Sequence, residues 1–362
     1  MILADAAYVG AWASSLHRVT ASHSGLGLDV PAADADMPHF LEPFTAALER
    51  LRQIVPAELT AKLEPRKLWE EPKHHMQHAL SEAVHDAARQ RFVASLPTGD
   101  TLADRGIRIC ALAMNTPEAG AWVSANPMGK NTRLTNVVLA NAVRERLLLP
   151  ALSQIEASEP CAGCAAPLDA LGTHATCCPN LNRSNTHKLV QDAVGGCAKE
   201  AAATLLRAPG VDTYYAKKPE AEGDDVDNTH SVADLGITFK NTPAGLPILV
   251  DFTVVAIVKG AAAPYESAGV VAEAAEIKKV KQYEKRYAGV RIVGFGVEIS
   301  GAFGPAAKRF TWKMAEAAGG PPHMVAQRYR RFCATVSVAL QAARYNNYLR
   351  FLATCVKPSE EG

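Results

Sequence analysis

Cys161, Cys164, His174 and Cys178 fall within eighteen residues, and thiolates with an imidazole at such spacing are the donors a tetrahedral zinc ion takes. The tight turn of Cys161-Ala-Gly-Cys164 lets two thiolates reach one ion, and Cys177 is an alternative to Cys178 as fourth ligand. Four protein ligands leave no open coordination position. Such a metal would therefore organise the chain, supplying folding energy that a short polar segment cannot draw from a core. A redox Cys-x-x-Cys fits less well, because that motif opens a helix after a strand, and here Ala165-Ala-Pro-Leu-Asp169 follows. The plainer alternative is unrelated buried cysteines beside a surface histidine.

The second group with chemical promise is acidic. Asp234 lies in the apolar run Val232–Phe239 and Asp251 in Ile248–Val258, with the turn-rich Asn241-Thr-Pro-Ala-Gly-Leu-Pro247 between them. A hairpin centred on that turn sets Asp234 opposite Thr253, with Asp251 two residues along on the same face, so the carboxylates converge. Carboxylates in apolar strands are costly unless they meet a cation. The pair suits Mg²⁺ or Mn²⁺, which at a phosphodiester activates water and neutralises the leaving group. A nearby lysine would complete such a site by stabilising charge on the phosphorane, and Lys278, Lys279, Lys281 and Lys285 lie on the helical stretch that follows. Against this, acids at strand ends are commonly solvated and a lysine-rich helix face is commonly a wet surface.

The elements that must position these groups follow from periodicity. Helical spacing marks Phe40–Ile54, Lys73–Ala94 and Asn131–Leu149, punctuated by Pro and Gly at Pro97–Gly99 and Pro127–Gly129. A polar linker at Ser153–Pro160 leads to the cysteines, and a helix is predicted over Thr186–Arg207. Short β-branched runs at Thr213–Lys217, Val232–Phe239, Ile248–Val258 and Arg291–Ile299, with a helix at Glu266–Ala288, read β-β-β-α-β. A long amphipathic helix, His323–Val356, closes the chain. The expected organisation is an all-helical domain over 1–152, a zinc-binding segment over 153–185, an α/β domain with a mixed sheet over 186–318, and a C-terminal helix and tail over 319–362.

Composition narrows the classes. The 362 residues are 48% hydrophobic with net charge +1, enough for real cores and no global pull toward polyanions. Between Lys278 and Arg350, however, fourteen Lys and Arg face three acids, so a nucleic acid should meet that half. Eight cysteines, four of them crowded into one segment, do not read as a secreted disulfide framework, and no stretch approaches the apolar length that spans a bilayer; a soluble intracellular protein is expected. The histidines at 74, 75, 78 and 85 read as a polar helix face, and Gly294-Phe-Gly296 does not complete a dinucleotide fingerprint.

Taken in order, these motifs resemble a known family. Cys161-x2-Cys164-x9-His174-x3-Cys178-Pro179, His187 at a helix head, Ala233-Asp234-Leu235, Asp251-x-Thr253-Val254-Val255 and Lys279-x3-Tyr283 are similar to the region after the reverse transcriptase in site-specific non-LTR retrotransposons. That region carries a helical linker, a CCHC zinc knuckle and a restriction-like PD-(D/E)xK endonuclease. Asp5-Ala-Ala-Tyr8-Val-Gly-Ala-Trp12, Gly25-Leu-Gly27-Leu28 and Asn141-Ala-Val-Arg144-Glu-Arg146 resemble its linker, so the likeness covers roughly Asp5 to Gly301.

The resemblance implies a metal-dependent DNA endonuclease that nicks a target site, acting on DNA with an RNA template as a further partner, in the nucleus where the element is active. It implies structural Zn²⁺ on Cys161, Cys164, His174 and Cys178, and Mg²⁺ or Mn²⁺ on Asp234 and Asp251. Lys279 would be the catalytic lysine, moved from strand to helix, with Lys281 as the alternative. Ala233 stands where the family has proline, and the glutamate of the preceding strand has no counterpart near Lys218-Pro219. These departures leave a second reading, a zinc-dependent nucleic-acid-binding module on a decayed nuclease fold. Polymerase activity is not expected, since no Tyr/Phe-x-Asp-Asp signature occurs.

Overall fold

The computed structural model describes residues 5–11, 13, 42–63, 76–99, 102–127, 129, 131–149, 160–161, 163–165, 172, 174–175, 178, 184–218, 232–240, 246–255 and 267–355. It divides into two compact units, Met1–Leu96 and Pro97–Gly362.

In the first unit, α1 (Glu42–Arg52) buries Phe44, Ala47, Leu48 and Leu51, a single stripe at helical spacing. Met76, Leu80 and Val84 of α2 (Met76–Ala94) form the matching stripe, and Ala6, Val9 and Ala13 complete the core. Gly10 permits the close approach of residues 5–11 to α2: a Cβ there would stand 2.2 Å from the Gln77 Cα. Asp5 receives two bonds from Arg50, at 2.7 and 2.9 Å. His74, His75, Trp12 and Gly25–Leu28 lie outside the described residues.

The second unit begins with α3 (Leu102–Met114) and α4 (Asn136–Arg146), the latter capped by the Thr135 hydroxyl, which accepts from the Val138 amide. Next come α5 (Ser184–Glu200), β1 (Thr204–Arg207), β2 (Leu235–Thr238), β3 (Ile248–Val255), α6 (Val270–Arg286), β4 (Ile292–Glu298), α7 (Pro305–Ala317) and α8 (Pro322–Cys355). The strands form one mixed sheet in the order β1-β2-β3-β4, antiparallel except for β3–β4, which α6 joins as a parallel crossover. The molecule is thus mixed α and β and mostly helical, with the β-β-β-α-β order that periodicity predicts.

The first strand is not the expected one. Val211–Thr213 is a 3₁₀ turn, and of the run Thr213–Lys217 only an isolated bridge, Lys217 to Tyr287, joins any ladder. β1 instead lies inside the stretch expected to be the end of a helix. The helix stops early because Ala202 turns left-handed (φ 55°) while the Ala203 amide bonds the Ala198 carbonyl and the Ala202 amide that of Lys199, a closing motif usually signalled by glycine. Among the described residues, α3, α7 and the short helices Ala57–Thr60 and Pro117–Gly120 had no counterpart among the individually predicted elements.

Both sheet faces are covered. Val190, Val194 and Cys197 of α5, Phe310 and Met314 of α7 and Phe332 and Val336 of α8 pack with Ile248, Val250, Phe252 and Phe295 in the main core. The opposite face sets Leu249 against Tyr283 of α6 and Tyr287 just past its end. β3 is buried on both faces over Ile248–Phe252, which explains its nearly continuous apolar sequence.

Gly294 and Gly296 let α6 lie close on β4: a Cβ at either position would come within 2.6 Å of a helix carbonyl, that of Glu276 or Ala272. The Gly294-Phe-Gly296 motif therefore serves helix-on-sheet packing. Two buried glutamates lock the layer. Glu298 Oε1 accepts from the Gly269 and Val271 amides at the head of α6, and Glu276 accepts from the Ala306 and Ala307 amides at the head of α7 and from Gly296.

Candidate active site and metal centre

The register of β2 and β3 determines the acidic pair. Leu235 pairs with Val250, so continuing the ladder by one step sets Asp234 across from Asp251, two residues from the expected partner Thr253. A two-residue shift preserves the face, so the convergence expected from the sequence survives the changed register. Asp234 itself lies in a bend just before β2, while Asp251 is central in β3 beside Gly294 of β4.

Each carboxylate has its own donors. Asp251 meets the Lys279 ammonium at 2.9 Å and receives the Tyr283 hydroxyl at 2.8 Å, both from α6, one helical turn apart. The Val232 carbonyl, 3.2 Å from the same hydroxyl, is a second acceptor sharing its one proton. Asp234 Oδ1 lies 3.1 Å from His187 Nε2 on α5, and its Oδ2 accepts from the Phe252 amide at 2.7 Å. Lys281 falls two positions, about 200°, around the helix from Lys279 and is exposed, as is Lys278; neither is brought to the acids. Thr253 is half-buried and supplies no lysine equivalent.

Burial opposes ionisation of both acids. At Asp234 it is outweighed by the hydrogen bond and field of His187 and by the Phe252 amide, and the carboxyl lies below its ordinary value. Asp251 is pushed up by burial, with Asp234 adding to the rise against the pull of Lys279 and Tyr283. Burial and the Asp251 charge push the Tyr283 phenol up, which keeps it a donor. Two neighbouring carboxyls are thus driven apart, a divergence that is frequent at functional sites.

The cysteine segment forms the second centre. Ligand atoms of Cys161, Cys164, His174 and Cys178 all lie within 4.8 Å of one another. The Cys161 to Cys178 sulfur separation is 3.7 Å and that from Cys164 Sγ to His174 Nε2 is 3.3 Å. Tetrahedral zinc with Zn–S near 2.3 Å and Zn–N near 2.05 Å requires edges of about 3.8 and 3.6 Å, so the donor set fits a metal such as zinc. The chain reverses at Cys161–Ala165, where the Cys164 and Ala165 amides both bond the Cys161 carbonyl. Cys161 and Cys178 pack on Tyr348 and Phe351 of α8, which ties the segment to the rest of its unit. Cys177 lies outside the described residues. Among the described residues no cysteine is in a disulfide, and no helix is long and apolar enough to cross a membrane.

His187 and Tyr283 entered the sequence reading only as motif positions, and Gln191, whose side chain donates to the Asp234 carbonyl at 2.9 Å, did not enter it. Its spacing of four from His187 on one helix was the available signal. No family model and no curated protein matches the chain.

Proposed function

We propose that the second unit is a metal-dependent DNA endonuclease of the restriction-like PD-(D/E)xK kind, related to the target-nicking module of site-specific non-LTR retrotransposons. The observation that carries this reading is the meeting of Asp234, Asp251 and Lys279 where the two central strands of a β-β-β-α-β sheet face α6, from positions far apart in sequence. Two carboxylates side by side offer the oxygen donors that Mg²⁺ or Mn²⁺ prefers, and each carboxylate keeps an oxygen with lone-pair capacity beyond its present hydrogen bonds. The cation, when bound, would supply an activated water and charge neutralisation at the phosphodiester. Asp234 and Asp251 would hold it, and Lys279 would stabilise charge developing on the phosphate. Tyr283 keeps the Asp251 carboxylate aimed. The Cys161, Cys164, His174 and Cys178 centre would hold structural zinc.

Nicking of supercoiled plasmid with Mg²⁺ or Mn²⁺, by wild type and Asp251→Ala in parallel, tests the proposal. Metal-dependent nicking lost in the variant is expected. No nicking by folded, zinc-loaded wild type would reject it in favour of a nucleic-acid-binding module, the reading that Ala233 in place of proline favours. Plasmid binding should weaken steeply with salt if the basic half meets phosphates.

A further inference from the structure

Asp234 stands just outside the regular ladder, in register with Ala208 and held there by one main-chain bond. β2 starts at Leu235, and the aspartate occupies the preceding bend. Its geometry is set further by a clamp from two elements. His187 Nε2 lies 3.1 Å from Oδ1, the Phe252 amide donates to Oδ2 at 2.7 Å, and the Gln191 side chain donates to the backbone carbonyl at 2.9 Å. The Ala208 amide bonds the same carbonyl at 3.1 Å. His187 and Gln191 are one turn apart on α5, so one helix face grips both the side chain and the main chain of Asp234. That helix cannot roll, because Val190, Val194 and Cys197 lie in the main core. The His187 ring is held in turn, meeting the Phe252 ring edge-on at 6.2 Å and 73°. Asp251, by contrast, is oriented from α6 by Tyr283 and Lys279.

We propose that His187, supported by Gln191, is a positioning residue that sets the divalent-cation affinity of the acid pair by fixing the Asp234 carboxylate. The proposal rests on the nuclease reading above. A carboxylate free to rotate loses affinity for a cation that needs both acids at once, and outer donors of this kind are worth about 10–100-fold in metal affinity or activity. His187 touches neither phosphate nor cation in this role; it acts through Asp234.

The test uses the full, zinc-loaded chain and Mn²⁺ as probe, with Mn²⁺ binding followed by electron paramagnetic resonance and plasmid nicking followed against Mn²⁺ concentration. His187→Phe keeps the ring and its contact with Phe252 but removes the donor. Half-saturating Mn²⁺ should rise by about 10–100-fold in both assays, with plasmid affinity in chelator unchanged. His187→Gln, which restores a donor, should recover much of the loss, a rescue that a purely structural role would not give. If His187→Phe fails to fold, Gln191→Met carries the test, with a rise of several-fold expected. Wild type that binds Mn²⁺ no better than Asp251→Ala would remove the nuclease reading itself. Wild type that binds Mn²⁺ while the donor-less variant binds it equally well would overturn only the role of His187.

Discussion

The two polar centres of the second unit are built by opposite means. The cysteine centre draws all four donors from eighteen consecutive positions, and its own apolar support is small: Cys161, Ala175 and Cys178 against Tyr348 and Phe351. The acidic centre draws its residues from His187 to Tyr283 and is held by the main core on one face and the α6 packing on the other. Short-range donor spacing can specify a centre whose fold depends on its metal. Long-range assembly requires the fold first, and any metal then adds chemistry to a scaffold already standing. The two centres should therefore respond differently when their metals or ligands are removed.

The largest expected effect is at the cysteine centre. Structural zinc contributes on the order of 10 kcal/mol of apparent binding energy in small zinc-organised segments. Cys161→Ser, or a strong chelator, should release one zinc equivalent and expose amides near Cys161–Ala165 and the end of α8 to hydrogen exchange, while amides of β3 stay protected. Retention of a full zinc equivalent by the variant would remove the ligand assignment. Loss of protection through β3 would break the contrast between the centres, making the sheet as metal-dependent as the cysteine segment.

A smaller loss, in rate and not in fold, is expected at the acidic centre. Lys279→Ala should lower nicking by about 10²–10³-fold, the scale of removing one charge-stabilising group, with the thermal midpoint nearly unchanged. Lys281→Ala, on the exposed side of α6, should leave turnover close to wild type at low salt. Equal effects from the two lysines would mean that the helix contributes general charge to DNA binding, and the contact between Lys279 and Asp251 would lose its special status.

The same contrast governs what the sequence discloses. The cysteine centre is readable by counting, because ligand spacing is itself the chemistry; the structure brings Cys178 into the cluster, and Cys177 lies outside the described residues. The acidic pair is readable as far as the face it shares, since face follows parity, but its register is set by packing and moved Asp234 from Thr253 to Asp251. β1 was hidden because all of Ala201–Leu206 but Thr204 is good helix formers, and the chain break at Ala202 uses a left-handed alanine that carries no glycine signal. Gln191 was hidden because its partner is a backbone carbonyl, and a spacing of four from His187 does not by itself point to a main-chain acceptor. Lys279 was visible as one of four lysines on the helix after the acids, and Tyr283 only by its spacing of four from it. That spacing gains meaning from Gly294 and Gly296, which bring the helix close to β4, next to Asp251.

Finer tests probe how firmly each scaffold stands. Glu276 links α6, β4 and α7 through three amides, and burial pushes its carboxyl above the usual value while those amides pull it down. Glu276→Gln replaces an acceptor by a donor facing amide donors, and should cost about 1–3 kcal/mol, the scale of a buried unsatisfied group, measured by denaturant unfolding. A loss within error would show that α6 is fixed by the glycine-enabled packing alone.

The smallest effect belongs to the first unit, where stability should carry an acid-sensitive component. The Arg50 hydrogen bond, opposed by burial and aided by the Arg50 charge, holds the Asp5 carboxyl below its ordinary value. A carboxyl depressed in the folded state contributes stability that is complete above its unfolded value, near 3.9, and is lost as pH falls through the folded one. Hydrogen exchange of α1 amides, corrected for intrinsic rates, should therefore show protection falling more steeply in wild type than in Asp5→Asn as pH drops below about 4. The partly exposed arginine limits the difference to a few-fold. Parallel pH profiles for the two proteins would show that the pair is screened to insignificance, leaving the apolar stripes of α1 and α2 to hold that unit.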